Sequence, residues 1–122
     1  MDQILLVEDV DEIRENTHEL LELNDFKVIS AENGISALKK LESNKVDLII
    51  SDIVMPEMDG FEFIDKLRLN ENMKDIPFIF MSASVQENEK RDAINKGING
   101  FIQKPFTEET LLETINKALE SN

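Results

Sequence analysis

The chain predicts a three-layer α/β fold, a parallel five-stranded sheet with helices on both faces. Three observations carry this. Short apolar runs and segments of helical period alternate five times along 122 residues. The runs are nearly continuous in Ile, Leu, Val and Phe, as strands covered on both faces are. Each run closes in a turn signal, and a helical segment long enough for a crossover follows it. The length suits one domain, residues 1–122, with a core of its own.

Ile4-Leu5-Leu6-Val7 is the first strand, and Glu8-Asp9 closes it. The helix that follows carries Val10, Ile13, Thr17, Leu20 and Leu21 on one face, with Asp9 or Asp11 placed to cap its first turn. Asn24-Asp25 ends it. Phe26 to Ala31 is a second, more polar strand, and Asn33-Gly34 turns into a helix with Ile35, Leu38 and Leu41 inward. The third strand begins at Val46 and reaches a lone carboxylate, Asp52. Pro56 cannot continue a central ladder, so this strand stops near Asp52.

Gly60 opens a third helix with Phe61, Ile64 and Leu67 inward. Asn70 to Asp75 is a polar loop. Ile76 to Met81 is the fourth strand, with Pro77 tolerated near its start, and Ser82-Ala83-Ser84 ends it. The next helix, about Gln86 to Lys96, is polar for a packed element. Only Ala93 and Ile94 read as core-facing, so it is a candidate for movement. Gly97 terminates it. Gly100 to Gln103 is the fifth strand, followed by Lys104-Pro105. Thr107 caps the last helix, whose buried stripe is Leu111, Leu112, Ile115 and Leu119. Right-handed crossovers make this a doubly wound fold, and with five units the flavodoxin-like strand order 2-1-3-4-5 is expected.

Composition removes several classes of chemistry. There is no Cys, so thiol catalysis, disulfides and Cys-ligated zinc are excluded, and the one His, His18, rules out a His cluster. Acids outnumber bases 26 to 13, for a net charge of −13, a surface that repels phosphate backbones and is not expected to bind nucleic acid directly. Only Ile4 to Val7 is apolar near the start, which is too short for a signal peptide, and no stretch approaches membrane-spanning length. The expectation is a soluble, cytoplasmic protein without membrane contact.

Parallel strands end on one edge, and strands one and three are neighbours in the expected order. Glu8, Asp9 and Asp52 should therefore converge, with Ser82 on the next strand and Lys104 beyond it. Three carboxylates at close range either raise a pKa or take a cation. Hard oxygen donors suit Mg²⁺, with Mn²⁺ the alternative ion, and argue against a soft metal. A carboxylate beside Mg²⁺ is a nucleophile toward phosphorus, and Lys104 and Ser82 would neutralise and hydrogen-bond phosphoryl oxygens.

On these residues the sequence resembles the response-regulator receiver domains of two-component signalling. The resemblance spans the whole chain and rests on Glu8-Asp9, the Asp52 segment through Met55-Pro56 and Asp59-Gly60, Ser82-Ala83 and Lys104-Pro105. It implies that Asp52 accepts a phosphoryl group from a histidine kinase or a histidine phosphotransfer protein. It implies that Asp9, Asp52 and the backbone carbonyl of Val54 bind Mg²⁺, with Glu8 acting through a metal-bound water. Ser82, Lys104 and the Ala83 backbone would hold the phosphoryl oxygens. Phe101 matches the family's switch aromatic, coupled to Ser82, and Lys104-Pro105 is expected to be cis. The partner surface would be the fourth helix, fifth strand and fifth helix, and the state a monomer or a phosphorylation-dependent dimer. Val54 and Ser84 flank the phosphoryl position and are expected to set its lifetime, Val54 as an apolar wall. Glu8 and Ser82 stand where many members have Asp and Thr, variants that keep the chemistry.

Two other classes compete with a phosphorylation switch that is not itself a turnover enzyme. An aspartyl-phosphate phosphatase needs a general acid two residues beyond the nucleophile, and that position is Val54. A phosphorylation-independent interaction scaffold of the same fold is the remaining alternative, and the presence of both Asp52 and Lys104 weighs against it. The chain reads as either a stand-alone regulator or a receiver cut from a larger regulator or hybrid kinase.

Overall fold

A computed structural model describes residues 2–83 and 86–120. Its elements are β1 (Gln3–Val7), α1 (Asp11–Leu23), β2 (Lys27–Ala31), α2 (Gly34–Ser43), β3 (Leu48–Asp52), α3 (Gly60–Arg68), β4 (Phe78–Ser82), α4 (Glu87–Asn95), β5 (Gly100–Gln103) and α5 (Glu108–Glu120). The five strands form one parallel sheet in the order β2-β1-β3-β4-β5, as the sequence predicts.

Alternation along each strand divides the core in two. Leu5, Val7, Ile49, Phe78 and Phe80 face one layer, where Ala37 and Leu41 of α2, Phe63, Ile64 and Leu67 of α3, and Ala93 of α4 cover them. Ile4, Leu6, Leu48, Ile50, Ile79 and Met81 face the other, under Leu21 of α1 and Leu111, Ile115 and Ala118 of α5. Four phenylalanines join α3 to β4: the ring centroids of Phe63 and Phe78 lie 5.7 Å apart and those of Phe61 and Phe80 5.2 Å, while Phe78 meets Phe80 edge-on at 5.0 Å within β4.

The structure corrects the sequence at particular residues. β2 starts at Lys27 and β4 at Phe78, later than expected, and β3 starts at Leu48. Ile35 and Ile94 point to solvent, 41% and 59% exposed, while Ala37 and Ala93 take the buried places beside them. Neither Asp9 nor Asp11 caps α1. Val10 occupies the cap position, and its side chain has nothing to offer the first turn. Asn33 does cap α2, accepting from the Ser36 N–H, and Thr107 accepts from the Thr110 N–H at the start of α5.

α4 is fastened more by polar groups than by burial. Ala93 is its one buried residue. The Arg68 guanidinium donates to the carbonyls of Lys74 and Ile76 before β4 and to those of Lys96 and Gly97 just past α4. Lys96 Nζ sits 2.7 Å from Asp65 Oδ1 on α3.

Candidate phosphoryl-accepting site

The carboxyl ends of β1 and β3 lie side by side at the switch point of the strand order, where open α/β sheets bind ligands. Val7 of β1 is in register with Ser51 of β3, so Glu8 and Asp52, the next residue of each chain segment, emerge together. One carboxylate oxygen from each of Glu8, Asp9 and Asp52 falls within 4.8 Å of the other two. Lys104 reaches back from beyond β5, and its Nζ lies 2.5 Å from Glu8 Oε1 and 2.9 Å from Asp52 Oδ2. The Lys104-Pro105 peptide bond is cis, as expected.

Glu8 is wholly buried and Asp52 nearly so, whereas Asp9 is half-buried. Burial pushes the Glu8 carboxyl up from 4.5 to about 7. The Lys104 ammonium and the Val10 N–H, 3.2 Å from Glu8 Oε2, work against that rise, and the charge of Asp52 adds to it. Burial alone would lower the Lys104 pKa. The hydrogen bonds and charges of Asp52 and Glu8 outweigh it and hold the ammonium above its usual range. The pocket is thus an anionic cluster in which, among the described residues, Lys104 is the cation paired with the carboxylates, and one of its acids resists ionisation. Its donors are all carboxylate oxygens, a set that fits a small hard divalent cation.

Asp52 is held from both sides. The Ile53 N–H donates to its Oδ1 at 2.7 Å, and Lys104 takes Oδ2. The turn after it closes on itself through the Gly60 N–H, 2.7 Å from the Ile53 carbonyl. Here only glycine fits, because a Cβ at position 60 would lie 2.6 Å from the Asp52 carbonyl and 2.7 Å from the Phe80 ring. Ser82 is buried at the end of β4, and its carbonyl accepts from the Lys104 N–H at 2.8 Å, which joins the β4 and β5 ends of the pocket. Phe101, paired with Phe80 in the sheet, is half-buried against the α2–α4 side of the core.

Val54 stands in the turn after Asp52 and is 73% exposed. Ala83 is exposed beside Ser82, and Ser84 lies outside the described residues. Sequence reasoning also passed over Arg14, which touches the pocket's backbone. Its Nη1 donates to the Glu8 carbonyl at 2.8 Å, a side chain-to-backbone contact that no residue pattern announces.

Fold and pocket together are those of a response-regulator receiver domain, and the comparisons agree. The model of the response regulator receiver domain family matches residues 4–116, and the chain belongs to that family. The chemotaxis protein CheY of Bacillus subtilis is 38% identical over 118 residues, 96% of this chain and 97% of that one. The ycf29 protein of Porphyra purpurea is 35% identical over 116 residues, 95% of this chain, but the chain spans only 56% of its length. Among solved structures, chemotaxis protein CheY4 of Vibrio cholerae superposes with a TM-score of 0.93 at 34% identity, covering 98% of this chain and 99% of that one.

Proposed function

We propose that this receiver domain is a phosphorylation switch in which Asp52 takes a phosphoryl group from a histidine kinase or a histidine phosphotransfer protein. The observation that carries the reading is the placement of Lys104 Nζ against both Glu8 and Asp52, with the three carboxylates gathered at the β1/β3 switch point. An Asp52 oxygen attacks phosphorus, an O–P bond forms, the P–N bond of the donor phosphohistidine breaks, and its electron pair stays on the imidazole. Asp52 and Asp9 would hold Mg²⁺, or Mn²⁺ in its place, with the Val54 carbonyl as a third donor and Glu8 acting through a water. The ion, when bound, neutralises charge on the phosphoryl oxygens.

The chain's own groups supply the rest. The Ile53 N–H and Lys104 fix the Asp52 carboxylate in one orientation, so little is lost in aligning it for attack. Lys104 already stands beside the oxygen it would share with the phosphoryl group, and Ser82 and the Ala83 backbone lie at the neighbouring strand end. The protein works as a switch and not as a turnover enzyme. Drawing Ser82 toward the phosphoryl group would let Phe101 move inward and shift α4, β5 and α5 between two packings, altering the surface offered to a downstream protein. The slight burial of α4, held chiefly by Arg68 and Lys96, favours such a shift.

Incubation with Mg²⁺ and a small acyl phosphate should add one phosphoryl group to the intact protein and none to Asp52→Asn. Full labelling of Asp52→Asn would send the acceptor role elsewhere.

A further inference from the structure

We infer that Arg14 is a positioning residue for the acidic pocket, holding the β1–α1 turn so that Glu8 and Asp9 can meet a divalent cation. The inference rests on the proposed Mg²⁺ reading of that pocket.

The turn from β1 to α1 spans Glu8, Asp9 and Val10, and it must aim two carboxylates at Asp52. Helix caps ordinarily fix such an entry, but Val10 at the cap position has no side-chain acceptor. The turn is fastened around Glu8 instead. Its N–H donates to the Ala31 carbonyl at 3.0 Å, its Oε2 accepts from the Val10 N–H, and its Oε1 accepts from Lys104. The remaining backbone group is the Glu8 carbonyl, which belongs to the Glu8–Asp9 peptide. Its direction therefore sets where Asp9 begins. Arg14 Nη1 holds that carbonyl at 2.8 Å.

Arg14 is itself built for this task. Its backbone N–H donates to the Val10 carbonyl at 2.9 Å, so one residue grips the turn at both ends. Asp11 Oδ1 takes the other arm of the guanidinium at 2.5 Å and aims the fork. The Arg14 side chain is only 17% exposed, while Asp11 stands at 78%. The contact to the carbonyl is thus the sheltered one, and the ion pair is the wet one.

Charge and position predict opposite results, which makes the inference testable. Arg14 is a cation next to a cation site. By Coulomb's law alone, removing it strengthens Mg²⁺ binding. If its service is to hold the Glu8–Asp9 peptide, removing it weakens binding, by about tenfold where outer partners orient metal ligands.

The experiment is calorimetric titration of the intact chain with Mg²⁺ alone, without a phosphoryl donor. Arg14→Ala should weaken Mg²⁺ binding about tenfold, with acyl-phosphate labelling restored at high Mg²⁺. Arg14→Lys keeps the charge and reaches a single partner, so a loss of about threefold is expected, and it carries the test should the alanine variant fail to fold. Asp11→Asn leaves the carbonyl contact in place and should bind Mg²⁺ within about twofold of the parent. Unchanged or tighter Mg²⁺ binding in the Arg14 variants would overturn the inference, as would an Asp11→Asn loss equal to that of Arg14→Ala. A parent chain that binds no Mg²⁺ would overturn the metal reading and this inference together. A parent that binds Mg²⁺ but takes no label on Asp52 would contradict the phosphoacceptor role and leave the Arg14 result standing on its own.

Discussion

Glu8 gives the account a quantitative handle. The perturbation is Glu8→Gln, measured without divalent cation and with chelator present. The folded protein holds the Glu8 proton until about pH 7, whereas the unfolded chain releases it near 4.5. Between those values the native state binds more protons than the unfolded state, so stability falls as pH rises through that window and levels off above it. A gap of this size corresponds to about 3 kcal/mol, at ~1.36 kcal/mol per unit of pKa. Glutamine fills the same space and carries no charge that burial penalises; with its oxygen toward Lys104, its NH2 faces the Val10 N–H, a donor-to-donor contact that costs about 1–3 kcal/mol at every pH. The stability difference between Glu8→Gln and the parent should therefore shift in favour of the variant by about 3 kcal/mol from pH 4.5 to pH 8, roughly 10 °C in melting temperature for a domain of this size. The assay is thermal or urea unfolding followed by far-ultraviolet circular dichroism at several pH values. Added Mg²⁺ should erase most of the shift at pH 8, because a cation beside the carboxylates favours the ionised Glu8. Parallel stability curves for the two proteins from pH 4.5 to 8 would refute the reasoning, since the burial of Glu8 would then carry no protonation cost.

Further outcomes follow from the same geometry. Asp9→Asn should weaken Mg²⁺ binding at least tenfold by calorimetry, and an unchanged affinity would show that Asp9 is not a ligand. Gly60→Ala should cost about 1–3 kcal/mol in urea unfolding and slow acyl-phosphate labelling, because its Cβ presses on the Asp52 carbonyl and the Phe80 ring. Wild-type stability would mean that the turn yields freely. Val54→Asn should shorten the phosphoryl lifetime after donor removal, since an exposed amide at this position offers an attacking water a partner that valine does not. Equal or slower decay would mean that another group sets the lifetime.

The strands and their order were legible because apolar runs buried on both faces leave a direct mark on sequence. The same was true of the acids, Ser82 and Lys104, since strand ends on a parallel sheet share one edge. Surface helices were less legible. Ile35 and Ile94 look like core residues by type, yet each helix turns them outward and buries Ala37 or Ala93 instead. The cap of α1 was misread for a related reason. An Asp near a helix start is a good cap, but in this turn Asp9 joins the pocket and Asp11 pairs with Arg14. Contacts that cross between segments had no periodic signal at all. Arg14 on the Glu8 carbonyl and Arg68 on four carbonyls are visible only once the chain is folded.

The central claim is that Asp52, and not either neighbouring acid, carries the phosphoryl group when a divalent cation is present. Borohydride reduces an acyl phosphate to the alcohol and leaves free carboxylates untouched, so it marks the acceptor covalently. The chain should be incubated with acyl phosphate and Mg²⁺, reduced with labelled borohydride, digested and mapped by mass spectrometry. The account predicts label at position 52, dependent on both donor and Mg²⁺ and greatly diminished in Lys104→Ala. Label at Glu8 or Asp9, or equal label at position 52 without a divalent cation, would contradict it.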